Sequence, residues 1–116
     1  MDQQSVDTAL HAIWTDQEEF NALFKRPLST FEDRSKVTKE MVLAMMAESV
    51  ELLNTINWKT HRRETRLENR AHTVTELVDI FKYWLTIAQA WGVTVEVFLN
   101  AYWEKSAVCR QRYAEE

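Results

Sequence analysis

Two pairs of acids carry the chemistry of this chain. Glu48 and Glu51 are three residues apart, and so are Glu76 and Asp79. On a helix that spacing puts both members of a pair on one side. Glu48 lies among Ala44, Met45 and Leu52, in the most apolar stretch of the sequence. Burying a carboxylate there without a partner costs on the order of several kcal/mol, and four carboxylates facing one another repel. A divalent cation removes both costs. Donors that are all oxygen suit Mg²⁺ or Mn²⁺. Plainer roles exist for each acid. Glu76 fits the third position of a capping box, Asp79 is spaced to pair with Lys82, and Glu48 and Glu51 fit a solvated face. Two such pairs on successive helices favour the metal.

Cations stand where a polyphosphate would need them. Trp58-Lys59 follows Glu51 at the end of the same helix, and Lys105, Arg110 and Arg112 lie near the end of the chain. Carboxylate-held metal ringed by Lys and Arg is a common way to hold phosphates. The same three cations at a helix C-terminus also complement its dipole, so the tail reads both ways. Residues 59–70 hold five basic and two acidic side chains, which fits a solvated surface or a phosphate role.

These side chains need long helices to position them. The chain has 116 residues but only one Gly and one Pro, which disfavours sandwiches, barrels and Rossmann units. The spacing predicts four helices in a single domain over residues 1–116, an all-α four-helix bundle. The first runs from Val6 to Phe24 with the stripe Val6, Leu10, Ile13, Trp14, Phe20, Phe24. Thr15-Asp16 is a candidate break in it, and Gln17 and Asn21 are amides on the same stripe. Thr38 is the expected cap of the second helix, which runs to Ile56 or Asn57. Being apolar on most sides, that helix belongs at the centre of the bundle. Thr73-Val74-Thr75-Glu76 has the form of a capping box for a third helix over 74–91, stopped by Gly92. Thr94 caps a fourth that ends near Tyr113.

Net charge is -4, from 14 Lys+Arg and 18 Asp+Glu, a poor balance for a nucleic-acid binder. No apolar run approaches the ~20 residues that span a bilayer. The acidic start Met1-Asp2-Gln3-Gln4 is unlike a signal peptide, and the single Cys109 excludes an internal disulfide framework. A cytoplasmic protein is the expectation.

The string Glu48-Ser-Val-Glu51-Leu-Leu-Asn-Thr-Ile-Asn-Trp58-Lys59, then Glu76-x-x-Asp79, then Lys105-Ser-Ala-Val-Cys109-Arg110-Gln111-Arg112-Tyr113, resembles the all-α nucleoside triphosphate pyrophosphatases. That superfamily includes MazG proteins, dimeric dUTPases, dCTP pyrophosphatases and phosphoribosyl-ATP pyrophosphatase. The Trp-Lys and the tail are most similar to the dUTPase and dCTP pyrophosphatase branches. Ala47 stands where MazG proteins usually carry Glu, and Ser106 and Cys109 stand where those branches carry Asn.

The resemblance implies Mg²⁺, or Mn²⁺, held by Glu48, Glu51, Glu76 and Asp79. It implies an acidified water that splits the α–β bond of a nucleoside triphosphate, leaving monophosphate and pyrophosphate. Lys59, Lys105, Arg110 and Arg112 would stabilise the phosphate charge. The base would lie against the first helix, read by Gln17 and Asn21 and stacked on Trp14 or Trp58. The amides could equally bond the backbone or a neighbouring subunit, and core is the expected place of Trp84, Trp91 and Trp103. A homodimer or homotetramer with sites at subunit contacts is expected. The expected substrate is dUTP, dCTP or a purine nucleotide (dATP or dGTP), since compact phage-type members of the superfamily include enzymes acting on purine deoxynucleotides. Competing readings are a phosphoribosyl-ATP pyrophosphatase and a non-catalytic helical interaction protein on the same scaffold.

Overall fold

The computed structural model describes residues 2–59, 61 and 66–114. Among them are four helices and no strand: α1 (Gln3–Ala22), α2 (Phe31–Leu53), α3 (Arg70–Ala90) and α4 (Val95–Ala114).

Local chemistry sets each start. Asp2 caps α1, its Oδ1 accepting from Ser5 N–H at 2.8 Å, and the helix continues unbroken through Thr15-Asp16. Past its end Lys25 takes a left-handed φ of 50° and Pro27 follows, so no helix can continue.

α1 starts at Gln3, upstream of the expected Val6, and two further starts are upstream because a different residue caps them. Thr30, not Thr38, caps α2. Its hydroxyl accepts from Asp33 N–H at 3.0 Å, and the Asp33 carboxylate accepts from Thr30 N–H at 3.4 Å. That reciprocal box wins because Thr38, one of several β-branched residues the helix tolerates, bonds back to Arg34 O at 2.7 Å from inside the helix. Asn69, not Thr73, caps α3, accepting from His72 N–H at 3.1 Å. Thr73 likewise bonds back to Asn69 O at 3.1 Å. Glu76 is therefore not a capping-box residue.

α2 stops at Leu53, short of the expected Ile56 or Asn57. The Gly92 and Thr94 signals hold. Gly92, at φ 70°, ends α3. Its N–H reaches Gln89 O at 3.0 Å and the next, Val93 N–H, reaches Ala88 O at 2.9 Å, the paired bonds of a Schellman turn. Thr94 Oγ1 accepts from Val97 N–H at 3.2 Å and opens α4.

The central helix is α3, not α2. It packs against α2 on one side and α1 on the other, while α4 leans on α1. One core cluster joins Trp14, Leu85, Ala88 and Val95, with Trp84 and Phe98 against it; the other joins Val37, Met41 and Ala90. Trp14, Trp84 and Phe98 form an aromatic triangle across α1, α3 and α4, with centroids 5.0 to 6.1 Å apart. Only Val37 and Met41 of α2 are buried. Val42, Leu43, Met46 and Val50 of its apolar surface lie open instead. The chain is accordingly spread out, with a Cα radius of gyration of 17.7 Å against roughly 13 Å for a compact domain of this length.

Candidate active site

The packing of α2 along α3 brings three acids together. One carboxylate oxygen from each of Glu48, Glu76 and Asp79 lies within 4.8 Å of the others. Glu76 and Asp79 share a face of α3, and Glu48 comes from α2. Glu76 is 6% exposed, and its Oε2 has no hydrogen-bond partner. Lys82 does not neutralise Asp79: its Nζ sits 4.7 Å over the ring of Phe20, and no Asp79–Lys82 ion pair exists among the described residues. The Glu48 carboxyl is pushed above the ordinary carboxylate value, first by sharing a hydrogen bond with Glu76, then by burial and by repulsion.

A buried, unpartnered carboxylate oxygen beside two more carboxylates fits a hard divalent cation. The donor set is all oxygen, and Glu48, Glu76 and Asp79 are the residues able to hold the ion.

Glu51, a turn beyond Glu48, is exposed and stands outside the triad. It lines a cavity of about 640 Å³ between the end of α2 and the start of α3, with Asn54, Thr55, Arg66, Leu67, Asn69 and His72. The loop there is tied by Arg66 N–H donating to Asn57 Oδ1 at 2.7 Å. Arg62, Arg63 and Glu64 of the basic stretch lie outside the described residues.

On the other side of Asp79 is a cavity of about 370 Å³, walled by Phe20, Phe24, Met41 and Tyr83 and edged by Gln17, Asn21, Lys82 and Thr86. Gln17 is 3% exposed. Its Nε2 donates to Asn21 Oδ1 and to Thr86 Oγ1, both at 3.2 Å. Asn21 Nδ2 donates to Gln89 Oε1 at 2.8 Å, and Gln89 Nε2 to Trp14 O at 2.9 Å. The two amides of α1 thus join a network with α3. Tyr83, Thr86 and Gln89 escaped sequence reasoning. Their signal was the recurrence of Asp79, Tyr83, Thr86 on one face of α3, with Gln89 a turn further on.

The remaining candidates lie elsewhere. Trp14 is 3% exposed and its Nε1–H donates to Val93 O at 3.1 Å, so both faces of its ring belong to the core. Trp58, 44% exposed, donates to Asn54 Oδ1 at 3.2 Å, and Lys59 Nζ sits 5.0 Å over its ring. Lys105, Arg110 and Arg112 are exposed on the outer half of α4, whose contact with α3 is made near its start by Val95 and Phe98. No ion pair joins these three cations to Glu48, Glu76 or Asp79 among the described residues. Trp84 is half-buried in the core, whereas Trp91 and Trp103 are 43% and 54% exposed.

The family profile described as dUTPase matches residues 9–115, nearly the whole chain. The chain belongs to the dUTPase family. The all-helical dUTPase architecture accounts for the four helices, and membership points to a nucleotide pyrophosphatase. No curated protein and no solved structure gives a significant match. Among the described residues, no helix of this dUTPase-family chain is long and apolar enough to cross a membrane.

Proposed function

We propose that this chain, acting as one domain, is a divalent-metal-dependent nucleotide pyrophosphohydrolase that converts a deoxynucleoside triphosphate to the monophosphate and pyrophosphate. The carrying observation is the Glu48–Glu76–Asp79 group with the orphaned, buried Glu76 Oε2. Family membership makes dUTP the first substrate to test, with dCTP and the purine nucleotides beside it.

When bound, Mg²⁺ or Mn²⁺ supplies Lewis-acid charge at the phosphates and makes the attacking water more acidic. The chain's own residues do the rest. Glu48, Glu76 and Asp79 hold the ion. Glu51, facing the neighbouring polar cavity, takes a share of the second half of the site. The cavity beside Asp79 takes the base, with apolar walls against its faces and the Gln17–Asn21–Thr86 edge toward its polar rim. Lys59 approaches the phosphates from the segment that follows α2.

Lys105, Arg110 and Arg112 complete the phosphate clamp from a second copy. The accessible surface of one chain is 9289 Å², against roughly 6,600 Å² expected for a folded monomer of this mass. An excess of that order is what an obligate homodimer removes from each subunit. The open apolar side chains of α2 and α4 supply the face for it. A homodimer or a homotetramer (a dimer of dimers) is the assembly this reading calls for.

The experiment is pyrophosphate release from dUTP, dCTP, dATP, dGTP and dTTP with Mg²⁺, Mn²⁺ or EDTA. Metal-dependent release from one or a few of them supports the reading and names the base. No release from any, in protein shown to be helical, sinks it for these substrates and favours a non-catalytic interaction protein.

A further inference from the structure

The two oxygens of Glu76 have different surroundings. Oε1 faces His72, whose Nε2 lies 3.5 Å away, one helical turn earlier on α3. Oε2 is buried and has no partner. The imidazole is not among the three groups that converge within 4.8 Å. It stands behind Glu76 rather than beside the cation position.

We propose that His72 is a positioning residue, its Nε2–H donating to Glu76 Oε1 so that Oε2 is the oxygen turned toward the divalent cation. The proposal rests on the metal reading above. It adds a residue outside the acidic motif, and it assigns separate tasks to the two Glu76 oxygens.

The arrangement depends on where α3 begins. Asn69 Oδ1 accepts the His72 backbone N–H at 3.1 Å and starts the helix at Arg70. A helix capped at Thr73 would leave His72 outside it, and the ring would not stand over Glu76 at i, i+4. Asn69 holds His72 by its backbone, so the ring can be replaced without removing the cap. The His72 side chain is 46% exposed, so its replacement also leaves the core untouched. Partners that orient a metal-binding side chain contribute about 10- to 100-fold in metal affinity.

The test uses Mn²⁺ alone as probe, titrated into the full chain and followed by the paramagnetic resonance of the free ion. His72→Leu weakens Mn²⁺ binding about tenfold or more. His72→Gln, which restores an N–H donor, recovers most of the loss, and both keep the helical circular dichroism of the parent. The bound Mn²⁺ spectrum shows no nitrogen coupling. Equal affinity in the parent and His72→Leu overturns the proposal, and so does nitrogen coupling, which would make His72 a ligand. A parent protein that binds no Mn²⁺ at all sinks the metal reading itself, a failure distinct from the other two.

Discussion

His11 on α1 and Glu96 on α4 form an ion pair, with Nε2 of the imidazole 2.7 Å from Oε1 of the carboxylate. His11 Nδ1 is also bonded to Asp7 O at 2.8 Å, so the ring is held at both ends. The Glu96 hydrogen bond raises His11 above its ordinary 6.5, and the same bond lowers Glu96 below its ordinary 4.5. The His11 contribution to stability is full below 6.5 and is lost as pH rises through the raised folded value. The Glu96 contribution is present above 4.5 and is lost as pH falls through the lowered value. The pair therefore helps most between 4.5 and 6.5. In urea unfolding at several pH values, His11→Gln should be less stable than the parent in that window and converge with it in alkali. A parallel offset at all pH values would show that the pair is not the cause.

Acid removal separates metal binding from folding. Glu76→Gln and Asp79→Asn should each lower kcat/KM for the best dNTP by about a hundredfold or more, as loss of several kcal/mol of charge stabilisation requires. Both variants should unfold no earlier than the parent in EDTA, because removing one of three crowded carboxylates relieves repulsion. Thermal unfolding in EDTA checks the second half, and an early transition would assign these acids a structural role.

Glu48 reports the same crowding through pH. Its raised value means that its contribution to the metal-free fold is full below 4.5 and is lost as pH rises through the folded value. Glu76→Gln removes the carboxylate chiefly responsible. The Glu48 value should fall in that variant, measured by carboxyl carbon NMR titration in EDTA. An unchanged titration would mean that burial, not Glu76, holds the value up.

The open face of α2 should govern assembly. Leu43 and Met46 are 55% and 59% exposed in the single chain. A double substitution, Leu43→Lys with Met46→Lys, should turn an oligomer into a monomer in light scattering after size exclusion. Activity should fall with assembly if the α4 cations come from the partner. An unchanged mass would exclude this face.

Gly92→Ala tests the end of α3. A Cβ there meets nothing within 4 Å, so the cost is backbone strain alone at φ 70°. About 1 kcal/mol of stability should be lost. A neutral result would mean that the turn relaxes without its Schellman bonds.

Periodicity and stop signals carried most of the architecture. The stripe from Val6 to Phe24, the Gly92 stop and the Thr94 cap are local features, decided by residues a turn or less apart. Glu76 and Asp79 could be paired from spacing alone because a helix face repeats every three or four residues, whereas the convergence of Glu48 on them from α2 is a matter of packing. The two misplaced caps were local too, but the choice between competing caps was not. Thr38 reads as a start, while Thr30 lies in the polar joint before it. Thr38, inside the helix, instead accepts from Trp91 Nε1–H at 2.8 Å, a contact 53 residues away.

Tertiary structure alone decided which helix is central, and with it the composition of the site. An apolar helix must bury its surface, but the pattern does not say against what. In this chain α3 takes the centre, and much of α2 is left to face outward. The separation of Glu51 from the triad and the closure of Trp14 into the core are likewise consequences of packing. So is the lack of an ion pair between the α4 cations and the acids among the described residues. Spacing along one helix is fixed by its geometry. Distance between helices is fixed by which side chains interlock, and that is a property of the folded whole.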